Sequence, residues 1–366
     1  MLKPTYDIPS LPPNVELETV PVLKALAAAN RALAELKGRA AVIPNQGILI
    51  DTLALQEAKA SSEIENIVTT QDELFQAELF PEGPESADAK EVALYRDALK
   101  LGHDRLRQTG GIISNNTLID IFRLLKRRDE GFRVTPGTAL KHDLTGATVY
   151  IPPQDANEIV AHMTALERFI NDDESSALDP LIKMALIHHQ FESIHPFPDG
   201  NGRIGRILNV LYLTRTGLLD IPILYLSRHI TRTKNDYYRL LQAVRETGAW
   251  EPWVLYMLDA VASTAKTTLQ LIEGIRSQMA DVKFRMREQL PKLYSQDLLN
   301  NLFRHPYTRI EFVMKELDVR RQTAAKYLDT LAQHGFVEKH HAGRSNYYIN
   351  IALIRLFLDV SGERPH

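Results

Sequence analysis

The chain has no cysteine in 366 residues. That excludes disulfides and thiolate metal sites and suits a reducing compartment. It also lacks a strong charge of either sign. Its formal net charge is −3, so no global basic field points to nucleic acid. No uninterrupted apolar run reaches membrane-spanning length, and Met1-Leu2-Lys3-Pro4-Thr5-Tyr6 lacks the apolar core of a signal peptide. The expectation is a cytoplasmic protein with no membrane association. There is no G-x-x-x-x-G-K-[ST] phosphate loop, no internal repeat and no low-complexity tract. What is present is a globular composition, 44% apolar, and length enough for two or three domains.

The order of segments predicts a mainly α chain. Pro4, Pro9, Pro12 and Pro13 favour an extended start. Apolar spacing predicts helices over about 21–39, 47–66, 87–108, 117–128, 155–171, 180–194, 203–216, 234–247 and 251–285. Thr70-x-x-Glu73 reads as a capping box opening a further short helix. Pro81 to Lys90 reads as a loop. Residues 144–153, Leu-Thr-Gly-Ala-Thr-Val-Tyr-Ile-Pro-Pro, read as a short hairpin. From Pro291 the texture changes. Ser295 is a candidate N-cap, Thr308-x-x-Glu311 a second capping box, and a helix follows Arg320-Arg321. Strands at 336–339 and 347–350 then flank a tip that carries Arg344. Three helices followed by a hairpin predict a winged helix-turn-helix. The domain expectation is 1–86 for an N-terminal helical region, 87–285 for a catalytic core and 286–366 for the winged helix.

One stretch carries most of the chemistry: His195-Pro196-Phe197-Pro198-Asp199-Gly200-Asn201-Gly202-Arg203-Ile204-Gly205-Arg206. Gly200, Asn201 and Gly202 allow backbone N–H groups to turn inward, beside the positive end of the next helix. Arg203 and Arg206, three apart, project from one side of that helix. Asp199 is a hard oxygen ligand suited to Mg2+ on a polyphosphate. His195 stands where it could take a proton from an incoming hydroxyl. A glycine turn with incidental charges would explain a lone G-x-G, but not this grouping. A rival metal site is built from His188, Glu192 and His195, spaced four and three apart. It leaves the glycine loop and the arginines unexplained.

Two further stretches are ambiguous on physics alone. Ser61-Ser62-Glu63-Ile64-Glu65-Asn66 reads as a polar helix end with Asn66 at C′. Tyr237 and Tyr238 are an aromatic pair on a helix, a pattern that most often belongs to a core.

His-Pro-Phe-x-Asp-Gly-Asn-Gly-Arg-x-x-Arg resembles the signature of Fic-domain proteins, which transfer AMP from ATP to hydroxyl side chains of target proteins. The resemblance implies a Fic helical bundle with a hairpin flap over the site. It implies His195 as the base, Asp199 as the Mg2+ ligand, and Gly200, Asn201, Gly202, Arg203, Ile204, Gly205 and Arg206 as the nucleotide-binding loop, with Asn201 orienting phosphate oxygens. Ser61, Glu65 and Asn66 match the family's inhibitory motif [Ser/Thr]-x-x-x-Glu-[Gly/Asn], placed N-terminal to the core. Glu65 would then compete with the ATP γ-phosphate for Arg206. Tyr237 is favoured as a nucleotide contact.

The expected function is therefore a protein adenylyltransferase acting on Ser, Thr or Tyr of a target protein. Self-modification and homodimer formation are compatible with it. Two alternatives stand beside it. One is a winged-helix transcriptional regulator that reads DNA and uses nucleotide only as a ligand. The other is a Fic enzyme that transfers a different phosphate-containing group or removes AMP. The segment 291–366 has 11 Lys/Arg against 8 Asp/Glu. Arg320, Arg321, Lys326 and Arg344 permit DNA contact, and a protein-interaction surface fits the modest excess equally.

Overall fold

The computed structural model describes residues 3–43, 45–70, 73, 87–141, 145–174, 176–342 and 345–361. The chain is mainly helical, with two small antiparallel sheets. It divides into two compact units. The first holds residues 1–34, 60–68 and 94–264, and the second holds 35–59, 69–93 and 265–366.

The elements run as α1 (Val20–Ala41), α2 (Gln46–Ile64), α3 (Ala87–Gln108), α4 (Asn115–Lys126), β1 (Leu140–Lys141), β2 (Thr148–Tyr150), α5 (Ala156–Asn171), α6 (Pro180–Ile194), α7 (Asn201–Arg215), α8 (Ser227–Arg232), α9 (Lys234–Thr247) and α10 (Trp250–Gln289). There follow α11 (Gln296–Arg304), β3 (Tyr307–Thr308), α12 (Ile310–Leu317), α13 (Arg321–Gln333), β4 (Glu338–Ala342), β5 (Ser345–Ile349) and α14 (Ile351–Ser361).

The first unit is built around α6 and α7. Every residue of α6 from Leu181 to Ile194 is buried, as is nearly every residue of α7. Helices buried on all sides belong at the centre of a bundle, where their polar residues need partners. Capping residues set the boundaries. Asp179 accepts from the Leu181 N–H and Pro180 occupies the first turn of α6, where its missing donor costs nothing. Ser114 caps α4, which therefore starts two residues before the apolar pattern suggests. Asp155 caps α5 through the Asn157 and Glu158 N–H groups. The extended N-terminal segment is tied to the bundle by Thr5, whose N–H donates to the Ile151 carbonyl, and by Pro9, whose carbonyl accepts from Gln190.

The hairpin forms, but not over the expected span. β2 pairs with residues upstream of the glycine turn, Leu140 opposite Tyr150 and Lys141 opposite Thr148, with a bulge between. The first strand thus precedes residue 144, and residues 142–144 lie outside the described residues.

In the second unit, helix α11, strand β3, helices α12 and α13 and the β4–β5 hairpin follow one another. The sheet order is β3-β5-β4, with Tyr307 and Glu338 on either side of Ile349. Ser295 caps α11 as expected. The second capping box does not form. Thr308 lies in β3 and its hydroxyl donates to Asn301 Oδ1 at 3.0 Å, so α12 begins without a side-chain cap. A buried hydrogen-bond partner outcompeted the local one. At Thr70 the reciprocal bonds of the first capping box are present: the Glu73 N–H donates to Thr70 Oγ1 and the Thr70 N–H to Glu73 Oε2. The helix it would open lies outside the described residues, as does the tip residue Arg344. Arg321 pairs with Glu311 at 2.7 Å, and Arg320 and Lys326 are exposed. Among the described residues no helix is long and apolar enough to cross a membrane.

Candidate active site

His195 follows the last residue of α6. It adopts the left-handed conformation, φ 49°, and its N–H closes the helix on the Phe191 carbonyl. A non-glycine residue pays conformational strain there, so something must hold it. Arg133, 4% exposed, does so. Its Nε–H donates to the His195 carbonyl at 2.8 Å, and its Nη2 to the carbonyls of Pro153 and Ile194. One buried guanidinium therefore ties the residues after β2 to the end of α6. Tyr150 adds a second tie: its hydroxyl donates to the Ser193 carbonyl at 2.6 Å, and Arg245 lies over its ring at 3.9 Å. Arg245 also donates to Ser193 Oγ.

These groups set the charge on His195. Burial pushes the imidazole down from 6.5 to about 3, Arg133 and Arg245 push the same way, and Asp199 opposes them. The ring is neutral at physiological pH.

The loop that follows is closed by Asn201. Its amide oxygen accepts from the Phe197 N–H at 2.9 Å and its amide nitrogen donates to the Phe197 carbonyl at 2.8 Å. The side chain expected to orient phosphate oxygens is thus engaged in holding the turn. Gly200, at φ 75°, is the N-cap of α7 and offers no capping side chain. Asp199 Oδ1 accepts from the Gly200 N–H at 2.6 Å, and Oδ2 from Lys126 Nζ at 2.6 Å. Burial raises the Asp199 carboxyl, but Lys126, the Gly200 N–H and Arg203 outweigh it and hold the group below its usual range.

Arg203 and Arg206 both leave the first turns of α7 and are buried at 1% and 2% exposure. Arg206 makes three hydrogen bonds to the end of α2. Its Nε–H donates to Ser61 Oγ at 2.8 Å, and its Nη2 to the Ser61 carbonyl at 2.8 Å and Glu65 Oε1 at 2.9 Å. Burial alone would lower Arg206, but Glu65 outweighs it and holds the guanidinium above its ordinary value.

Ser61 and Glu65 reach that position through a helix ending. α2 stops at Ile64. The Asn66 N–H bonds the Glu63 carbonyl and the Ile67 N–H bonds the Ser62 carbonyl, with Asn66 at φ 61°. This is the Schellman pattern with Asn66 at C′, as the sequence predicts. Gly202 is glycine for a different reason from Gly200: a Cβ there would overlap Glu65 Oε1 and lie 3.0 Å from Arg206 Nη1.

Other expected residues sit deeper. Ile204 is fully buried. Gly205 lets α7 approach α6, since a Cβ on it would lie 2.7 Å from Glu192 Oε1. Tyr237 is 2% exposed and its hydroxyl pairs with His188 Nε2 at 2.8 Å, which places it in the core; Tyr238 is the exposed member of the pair. His188 Nδ1 pairs with the Asn209 amide at 3.1 Å, so both nitrogens of His188 are engaged. The left-handed turn at His195 also takes it off the α6 face that the rival metal site needs. Lys126, Arg133 and Arg245 were missed in the sequence. Each comes from another element, and no local spacing marks it.

Comparison with known proteins gives three matches along the chain. Residues 23–104 match the Fic/DOC family N-terminal domain, 112–213 the Fic/DOC family, and 279–353 the C-terminal domain of protein adenylyltransferase SoFic-like proteins. The chain is 34% identical over 130 residues to protein adenylyltransferase Fic of Drosophila yakuba, 36% of this chain and 25% of that protein. It thus spans about a quarter of the length of that curated relative. The fold is similar to that of a Fic family protein from Desulfovibrio desulfuricans G20, with a TM-score of 0.55 and 19% identity over 95% of this chain and 98% of that one. It is also similar to a Fic domain containing signaling protein from Bacteroides thetaiotaomicron, with a TM-score of 0.54 and 19% identity over 68% of this chain and 98% of the other. With the three domain matches in sequence order and the motif loop folded between α6 and α7, the chain belongs to the Fic/DOC family.

Proposed function

We propose that the chain is a protein adenylyltransferase that moves AMP from ATP to a hydroxyl of a target protein and is held back by Glu65. The observation that supports it most directly is the pairing of a neutral His195 with a buried Arg203 and Arg206 on one closed loop. In the reaction the target oxygen attacks the α-phosphorus. The bond from that phosphorus to the bridging oxygen of the β-phosphate breaks, and pyrophosphate leaves. His195 takes the hydroxyl proton. Its Nδ1 is buried, so Nε2 is the nitrogen left to meet the substrate. The buried arginines bind the distal phosphates as charge-assisted donors, and the amides at the start of α7 face the transferring group. Residues next to β2 guide the target segment.

Asp199 fits a magnesium ion. One carboxylate plus substrate phosphates is a common Mg2+ donor set, and this carboxylate already holds a cationic partner in Lys126. When bound, the ion neutralises phosphate charge.

Glu65 and Ser61 take the same guanidinium that a γ-phosphate would need. The test is AMP labelling by purified full-length protein with an alkyne-bearing ATP analogue. Glu65→Gly should label itself or lysate proteins more strongly than wild type, and Glu65→Gly with His195→Ala should not label. Equal labelling with and without His195 would end the reading.

A further inference from the structure

Lys126 is the last residue of α4, 73 positions before Asp199 in the chain, roughly one domain segment away by sequence and in direct contact by structure. The helix is pinned to the motif loop by a stack of Phe122 on Phe197, ring centroids 4.6 Å apart. Phe122 and Lys126 are four residues apart and share that face. The lysine stem is only 14% exposed. It runs across Gly200, where an added Cβ would lie 3.5 Å from both Lys126 Cδ and Leu125 Cδ2. The ammonium therefore does not wander over a surface; it is delivered to Asp199 Oδ2, while the Gly200 N–H occupies Oδ1.

We propose that Lys126 is the resident counter-ion of Asp199 and that a divalent cation enters this site only by displacing it. The proposal rests on the reading of Asp199 as the metal ligand. A Mg2+ ion would sit about 2.0–2.1 Å from a carboxylate oxygen, and its repulsion of the ammonium that lies 2.6 Å from Asp199 Oδ2 favours moving the lysine off that group. The displaced ammonium stays tethered across Gly200. Both ends of the nucleotide site are then occupied beforehand by the protein's own charges: Arg206 by Glu65, and Asp199 by Lys126.

The test compares ATP binding by calorimetry, with EDTA and with Mg2+, for full-length wild type, Lys126→Met and Lys126→Arg. The ratio of the two dissociation constants measures how much the metal helps. Lys126→Met should raise that ratio about three- to fivefold, the scale of a partly exposed ion pair, and Lys126→Arg should stay near wild type. An unchanged ratio in Lys126→Met overturns the proposal while leaving the nucleotide reading intact. If no variant binds ATP, the function reading falls, and Mn2+ broadening of the Gly200 amide resonance decides on the lysine alone. Broadening at lower Mn2+ in Lys126→Met supports it, and broadening at the same concentration, or none in any variant, overturns it.

Discussion

Glu65 and Arg206 are 141 positions apart in the chain and 2.9 Å apart in the fold. The carboxylate is 32% exposed and the guanidinium 2%, so the contact is open to competition from the carboxylate's side. Glu65→Gly removes the charge and leaves Arg206 its two bonds to Ser61. AMP transfer should rise by about tenfold or more, the scale of one charge-assisted hydrogen bond, with a lower melting temperature because a buried cation loses its counter-charge. Glu65→Gln keeps a hydrogen bond without the charge and should fall between. Labelling assays and thermal unfolding on the same preparations check both.

Arg133 holds three carbonyls on two segments. Arg133→Gln should cost about 2–3 kcal/mol of stability, because those buried acceptors lose charged donors. In the Glu65→Gly background it should lower kcat for a protein target while leaving the ATP dissociation constant within about twofold, since it touches His195 and not the phosphate loop. Arg133→Lys reaches fewer of the three carbonyls and should recover only part. A rise in the ATP dissociation constant equal to the loss in kcat would assign Arg133 to the nucleotide instead.

Burial pushes His188 from 6.5 to about 3, with Arg206 adding to the effect, and His195 shifts in the same direction. A folded-state value below the unfolded one means that the native state binds fewer protons between those limits. The stability these histidines contribute is therefore whole above about pH 6.5 and is lost as pH falls toward 3. Urea unfolding at pH 4, 5, 6 and 7 should show that slope, and His188→Gln should flatten it. The transfer rate of Glu65→Gly should show no acid limb near pH 6.5.

Glu192 has the opposite sign. Burial pushes its carboxyl from 4.5 up to about 7; Arg206 pulls it down and Glu65 pushes it up. The native state holds this proton more tightly than the unfolded chain, so its contribution is best below pH 4.5 and is lost as pH rises to 7. Glu192→Gln should gain stability relative to wild type across that interval. A constant difference between the two proteins from pH 5 to 8 would argue against a titrating Glu192.

The motif loop was legible because its chemistry is contiguous. Twelve residues carry the histidine, the carboxylate, the glycines and both arginines, and Asn66 announced the end of α2 through its C′ preference. The residues that position the loop were not legible. Lys126 and Arg133 act on it from a helix end and a connection, and their partners are backbone carbonyls and a carboxylate that only the fold brings near. Tyr237 shows the converse, since the sequence marks it as a candidate nucleotide contact and only the fold sets its hydroxyl against His188. Thr308 had the right neighbour at the right spacing, and the Asn301 side chain claimed it first. The short α8, the two-residue β3 and the terminal α14 were missed. The first two are too short for a period to register, and α14 follows directly on β5 with one residue between.

Ser61 and Glu65 meet one guanidinium from positions four residues apart, on adjacent turns at the end of α2. An α-helix turns about 100° per residue, so a rotation of α2 by a single residue step would carry both groups away from Arg206 together. The hold on Arg206 is therefore sensitive to torsion as well as to charge.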